Sequence, residues 1–207
     1  MAGIIALNSP TLLQKFYHII NSTGCGLAPQ DSSILLRGLK TLFVRMERQS
    51  ASAQRIAEYL ASHNFLVRYP GLKSHPQYAM HWAQATGAGA VLSFTTGDVG
   101  VSERIVGACR LWAISVSFGS VNSLISMPCR MSHASISEET RRKRGLAEDV
   151  IRLCVGIEDV DDLLEDLEQA LVSSGAVQVK KVNGHKEAGE AVEGKAPIER
   201  ADPEGVA

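Results

Sequence analysis

One stretch of the sequence carries no charge for nineteen residues, yet polar side chains recur along it. It runs from Leu111 to Cys129 and contains five serines, a glycine, an asparagine and a proline among its apolar residues. A stretch of this length can cross a bilayer as a helix. Its hydroxyl and amide groups would then need partners that lipid does not offer, so burial inside a protein is the better interpretation. We call residues 111–129 the ribbon.

The composition predicts a globular protein that neither binds nucleic acid nor anchors to a membrane. The chain has 207 residues, of which 45% are hydrophobic and 21% charged, and its net charge is -1. Such a balance gives no basic footprint for nucleic acid and no polybasic patch for a lipid surface. The four cysteines are widely spaced, and His75 and His81 match no metal template. We therefore expect reduced thiols, a cytoplasmic location and no metal site.

Apolar periodicity predicts that helices and strands are mixed along the chain, which is typical of an α/β fold. The helices are expected at about 10–20, 35–46, 51–63, 101–109, 137–144 and 160–171. The strands are expected at about 3–7, 65–69, 90–94 and 150–155. Ser9 and Asp159 stand where the side chain that caps a helix start is expected.

The character of the sequence changes after about Gly175. From residue 180 onward there is no aromatic residue and there are few large aliphatic ones. Such a segment cannot bury enough apolar surface to offset the entropy lost on ordering it. We therefore expect residues 175–207 to form a disordered tail.

Arg152 is the charged residue within an otherwise apolar strand, and two interpretations of it remain open. On a strand whose side chains alternate, Arg152 can lie on a solvated face. Alternatively it is a partly buried cation that faces an anion, because a buried and unpaired guanidinium is strongly destabilising. Its planar group suits a carboxylate that accepts two parallel hydrogen bonds. In the ribbon, Gly119 would let the backbone approach such a ligand closely, and serines could hydrogen-bond to it.

Several motifs occur in a consistent order along the chain. They are S32-S-I-L-L-R-G-L-K-T-L-F-V-R45, H81-W-A-Q-A-T-G-A-G-A-V-L-S-F94, the ribbon, and R144-G-L-A-E-D-V-I-R-L-C-V-G156. Together they resemble the C-terminal part of the Cys/Met metabolism enzymes, a fold-type-I family that uses pyridoxal phosphate (PLP). The resemblance covers about residues 1–174.

The resemblance implies the C-terminal part of a fold-type-I PLP-dependent transferase fold. Residues 1–49 would be the remnant of the large PLP-binding domain with its linking helix. Residues 50–174 would form a small domain with a mostly antiparallel sheet and flanking helices. Because residues 1–49 would lack much of their packing partner, their apolar stripes predict an exposed surface that favours association.

The resemblance also implies roles for individual residues. The family's arginine for the substrate carboxylate corresponds to Arg152, and the serine that helps to position that carboxylate corresponds to Ser117. Members that act on the gamma bond often carry a glutamate before this serine, whereas Val116 stands there in this chain. Val116 therefore favours a carbon–sulfur lyase of the beta-lyase type over the gamma-lyase and gamma-synthase types. Its substrate would be cystathionine, cleaved to homocysteine, pyruvate and ammonia in methionine biosynthesis by transsulfuration.

The resemblance further implies that most contacts of the PLP cofactor lie outside this chain. The family's Schiff-base lysine belongs to an S-x-T-K motif that would precede Met1. We therefore expect neither a catalytic nor a cofactor-binding residue here, and no activity of the chain alone. The sequence would come from a truncated gene model, a split gene or a degenerate copy. It could instead be a non-catalytic partner, in a homo-oligomer or in a mixed oligomer with full-length homologues.

Overall fold

The computed structural model describes residues 2–182 and 185–191, and describes side chains as far as residue 178. The chain divides into two compact units, of which the first ends at Val44 and the second begins at Arg45. Within the described residues, no helix combines the length and the apolar character needed to cross a bilayer.

The first unit contains two helices, α1 (Pro10–Thr23) and α2 (Pro29–Lys40). The predicted start of α1 is confirmed, because the Ser9 hydroxyl accepts a hydrogen bond from the Leu12 amide at 3.4 Å. The strand predicted at 3–7 is wrong, since these residues form no regular structure and are largely exposed. A strand needs a neighbour for its backbone groups, and the described residues supply none for this segment.

Apolar side chains along both helices of the first unit face outward. Neither α1 nor α2 contains a buried residue. The exposed large side chains are Leu12, Leu13, Tyr17, Ile19, Ile20, Ile34, Leu36 and Leu39. Such a stripe is typical of a helix that packs on a partner. The association that we predict for residues 1–49 stays a prediction.

A long helix, α3 (Leu42–Ser62), follows. It covers most of the helix predicted at 51–63. The helix predicted at 35–46 is interrupted at Thr41, so that its first part belongs to α2 and its last part to α3. The predicted domain boundary after residue 49 lies within α3.

The second unit combines a sheet, a hairpin and helices. Its strands are β1 (Leu66–Arg68), β2 (Val91–Thr95), β3 (Ala113–Ile114), β4 (Leu124–Ser126), β5 (Ile151–Cys154), β6 (Val177–Val182) and β7 (His185–Ala191). Its further helices are α4 (Tyr78–Trp82), α5 (Val99–Ala108), α6 (Glu138–Lys143) and α7 (Val160–Ser173), with a 3-10 turn at Pro128–Arg130. The predicted cap of α7 is confirmed, because the Asp159 carboxylate accepts from the Asp161 amide at 2.9 Å.

The main sheet has the strand order β1-β2-β5-β4-β3. Every neighbouring pair in it is antiparallel except β3 and β4, which run parallel, so the expected mostly antiparallel sheet is confirmed. Strands β6 and β7 pair as a separate hairpin. This hairpin differs from the disorder predicted for 175–207, while residues 183, 184 and 192–207 lie outside the described residues.

The core lies between one face of the sheet and the helices α3, α5 and α7. Leu92 and Phe94 of β2 and Leu153 of β5 point into it and are almost fully buried. Because strand side chains alternate, Ser93 and Arg152 lie on the opposite face, where they are cross-strand partners. The sheet therefore separates an apolar core from a polar face that carries the predicted substrate-binding arginine.

We predict that Leu167→Ala destabilises the second unit by about 2–5 kcal/mol, because it leaves a cavity in a packed core. Leu167 of α7 is fully buried in the core cluster. The measurement is the free energy of unfolding from urea titration. Glu165→Ala on the exposed side of the same helix is the control and should change stability little. Equal losses in the two variants would contradict this account of the core.

Candidate functional site

The ribbon has one exposed and one buried half. From Ser123 to Cys129, including β4, its residues are buried, as predicted. Between residues 113 and 122 the prediction of burial is wrong, since nearly all of these residues are exposed. Strand β3 lies at the edge of the sheet with one neighbour, and both its residues are exposed.

A buried carboxylate holds the start of the ribbon. Asp166 on α7 is 7% exposed. Its oxygens accept hydrogen bonds from the Arg110 amide at 2.9 and 3.1 Å and from the Leu111 amide at 2.8 Å. The indole of Trp112 donates to the Leu163 carbonyl at 3.3 Å. Two consecutive turns of α7 therefore fix the point at which the chain enters the ribbon.

A second carboxylate holds the middle of the ribbon. The Glu158 carboxylate accepts from the Ser123 amide at 2.7 Å and from the Ser123 hydroxyl at 2.9 Å. The same hydroxyl accepts from the Gly156 amide at 2.8 Å. The side-chain amide of Gln49, on α3, donates to the Ser120 and Val155 carbonyls, both at 2.9 Å. The exposed loop before Ser123 is thus tied at its end to β5 and α3.

Arg152 lies partly buried beside this loop. Its Nη2 donates to the Val116 carbonyl at 2.8 Å, and its guanidinium carbon lies 4.6 Å from the centre of the Phe118 ring. Burial lowers the pKa of Arg152, and the neighbouring Cys154 opposes that shift. Arginine still remains a cation at neutral pH. Arg152 is thus a partly buried cation on the polar face of the sheet, and the anion partner that one of the two interpretations requires stays a prediction.

Ser117 lies between the two residues that Arg152 contacts. Its hydroxyl is 3.4 Å from the Gly119 carbonyl and 3.5 Å from the Gly119 amide, longer than a typical hydroxyl hydrogen bond. No hydrogen bond joins Arg152 directly to Ser117 in the described part of the chain. The structure therefore brings Arg152 next to the segment around Ser117, and leaves the hydroxyl weakly held and exposed.

This arrangement can bind a carboxylate. A guanidinium has five N–H donors, and among the described residues Arg152 uses its Nη2 for Val116 and forms no ion pair. The Phe118 ring attracts the cation, and the Ser117 hydroxyl offers a further donor nearby. Val116 is 53% exposed and adds an apolar side chain to the same segment.

The described residues do not by themselves form a PLP site. PLP requires a lysine amine, which is reactive when it is desolvated or lies near other cations. The lysines whose side chains are described are all exposed, namely Lys15, Lys40, Lys73 and Lys143. Nor do the described residues contain a group of three potential metal ligands.

Sequence reasoning missed the residues that hold the ribbon. No local pattern in the sequence singled out Glu158, Asp166 or Gln49 for a role. Their partners are distant in the sequence: Gln49 contacts Ser120, and Glu158 contacts Ser123. The one available signal was a long uncharged stretch whose polar groups needed partners from elsewhere.

Comparison with known proteins supplies an independent finding. The sequence matches the model of the family described as Cys/Met metabolism PLP-dependent enzyme over residues 1–172. It is 70% identical over 177 residues to a cystathionine beta-lyase of Neurospora crassa, covering 86% of this chain and 39% of that protein. It is 45% identical over 193 residues to a cystathionine beta-lyase of Saccharomyces cerevisiae, covering 87% and 42% respectively.

A solved structure, of cystathionine gamma-lyase from yeast, matches with a TM-score of 0.79 at 36% identity. The match covers 82% of this chain and 44% of that one. The chain therefore spans about two fifths of the length of the curated relatives it matches.

We predict that Gly156→Ala displaces the ribbon from β5. A Cβ at this position would meet the Glu158 carboxylate, the Val121 carbonyl and the Ser123 amide. Because two of these are backbone atoms, the chain must shift, and we expect a loss of about 1–3 kcal/mol in the free energy of unfolding. Urea titration measures the loss.

Gly107→Ala is the matched control. A Cβ at position 107, near the end of α5, would meet nothing within 4 Å. Helix propensity then predicts no loss, or a gain of up to about 1 kcal/mol. If Gly156→Ala is as well tolerated as this control, the close packing of Gly156 against the ribbon is not a constraint.

Proposed function

Because the chain belongs to the Cys/Met metabolism PLP-dependent enzyme family, we propose that it is the C-terminal part of a carbon–sulfur lyase of the cystathionine beta-lyase type. The whole enzyme would cleave cystathionine at its Cβ–sulfur bond and yield homocysteine, pyruvate and ammonia. The observation that carries the proposal is the partly buried guanidinium of Arg152, which lies beside Ser117 without an ion-pair partner among the described residues.

In this proposal Arg152 binds the α-carboxylate of the amino-acid substrate. The carboxylate replaces the Val116 carbonyl as acceptor and forms two hydrogen bonds between ionised groups instead of one to a neutral carbonyl. Ser117 donates a further hydrogen bond from the adjacent loop. The role of both residues is to orient the substrate so that the bond to be broken has the correct direction.

The remaining chemistry depends on groups beyond the described residues. PLP, the cofactor of the family, would supply an electron sink for the reaction when bound. Val116 would contribute to the choice of bond, because it puts no carboxylate beside Arg152 to compete with the substrate. A cytoplasmic location belongs to the same proposal, since all four cysteines are free thiols.

A second candidate function is that of a non-catalytic partner. The outward-facing apolar stripes of α1 and α2 support it, because such surfaces favour assembly with another chain. The partner would be a second copy of this chain or a full-length homologue. A fragment of a gamma-lyase or gamma-synthase is a third candidate, and the valine at position 116 argues against it.

We predict that Arg152→Gln weakens cystathionine binding to the 207-residue chain at least about tenfold, because one charged partner is worth about 1.5–3 kcal/mol. Without a cofactor the unmodified chain should bind only weakly, on the order of 1 mM. Ligand-observed NMR measures both affinities. Arg55→Gln removes an equal charge from an exposed ion pair with Asp161 and should leave binding unchanged. An equal loss of affinity in the two variants would show that binding depends on net charge and not on Arg152 itself.

We also predict that the purified chain does not turn over cystathionine when PLP is added. The reason is that every lysine with a described side chain is exposed, whereas a Schiff-base lysine is activated by desolvation or by nearby cations. Pyruvate release and visible absorbance are the measurements. Pyruvate production above the rate with PLP alone would show that the chain carries its own catalytic amine.

A single mixed species with a full-length cystathionine beta-lyase in size-exclusion chromatography would support the partner function instead.

A further inference from the structure

A second cationic pocket lies on the polar face of the sheet. Its floor is formed by β1 and β2, where Arg68 pairs with Ser93 and Leu66 pairs with Thr95. The loops at 75–77 and 144–147 form its walls, and the cavity has a volume of about 450 Å³. The pocket therefore has polar strand side chains below it and two irregular segments around it.

The pocket is lined by basic side chains without a described acid. Arg68, His75 and Arg144 contribute to its wall, and no carboxylate does so in the described part of the chain. Arg68 is partly buried, and its guanidinium has neither a hydrogen bond nor an ion pair among the described residues. A partly desolvated cation of this kind attracts an anion more strongly than a fully solvated one does.

The two acidic residues that follow the wall segment 144–147 in the sequence form hydrogen bonds elsewhere. Glu148 accepts hydrogen bonds from Arg141 at 2.7 and 3.2 Å. Asp149 accepts from the backbone amides of Thr96 and Gly97 at 2.9 and 2.7 Å. Neither of these two residues lines the cavity.

His75 adds a donor rather than a second full charge. Its Nδ1 accepts from the Gln77 amide at 3.2 Å, which leaves the ring proton on Nε2. Burial lowers the pKa of His75, and the nearby Arg68 and His81 lower it further. The wall thus combines two permanent cations with a neutral donor, a set that suits the oxygens of a small anion.

We propose that this pocket binds a small oxyanion, either a phosphate or a carboxylate group, through the guanidinium groups of Arg68 and Arg144. It is separate from the Arg152 position, because Ser93 pairs with Arg68 on one side and with Arg152 on the other. Two strand spacings amount to roughly 10 Å. Arg152 reaches the opposite way, toward Val116, and does not line the cavity. The proposal is independent of any lyase activity.

The test is a titration of the 207-residue chain with inorganic phosphate at fixed ionic strength, and isothermal titration calorimetry measures the binding. We expect saturable binding, and a loss of about tenfold in affinity in Arg68→Gln and in Arg144→Gln, because each removes a charge-assisted contact. Arg55→Gln, which removes the same charge from α3, is the matched control and should bind phosphate normally. Circular dichroism verifies that all variants are folded.

A parallel titration with succinate distinguishes the source of the oxyanion. Tighter phosphate binding would assign the pocket to a phosphate ester, and tighter succinate binding would assign it to a carboxylate. The proposal is overturned if neither anion binds saturably. It is also overturned if Arg55→Gln loses as much affinity as the two pocket variants, or if a folded Arg68→Gln retains full affinity.

Discussion

The fold of the second unit depends on two carboxylates that satisfy the backbone of an uncharged segment. Asp166 accepts the amides at the start of the ribbon, and Glu158 accepts the amide and hydroxyl of Ser123. A carboxylate is a strong acceptor for backbone N–H groups, and a buried N–H without a partner is costly. The ribbon can therefore pack on the sheet without charges of its own. Its exposed half then lies in contact with Arg152.

The two faces of the sheet differ in polarity. Leu92, Phe94 and Leu153 close the core, while the residues between them leave Ser93 and Arg152 on the polar face. On that face, Arg152 turns toward the ribbon and Arg68 turns into a separate cavity. Because neither arginine meets a described carboxylate, both remain available for an anion from outside. These two arginines are thus the places at which we propose that the chain recognises anionic groups.

Local signals in the sequence predicted the elements whose interactions are local. The caps at Ser9 and Asp159 were correct, because a cap bonds to amides only two or three residues away. The strand predicted at 3–7 failed, because a strand also needs a neighbour that periodicity cannot supply. The break at Thr41 and the hairpin after residue 176 were missed for the same reason, since apolar pattern and composition do not determine where a chain turns or pairs.

The sequence by itself determined the α/β class and the capping residues at the starts of α1 and α7. It also identified Arg152 as a cation within an apolar strand. Its motifs also carried the resemblance to a PLP-dependent family, which the family match confirmed. Only the tertiary structure decided which half of the ribbon is buried, what Arg152 touches, and that Glu158, Asp166 and Gln49 hold the loop beside it. These contacts join residues far apart in the chain, and their existence depends on distances that no local pattern encodes.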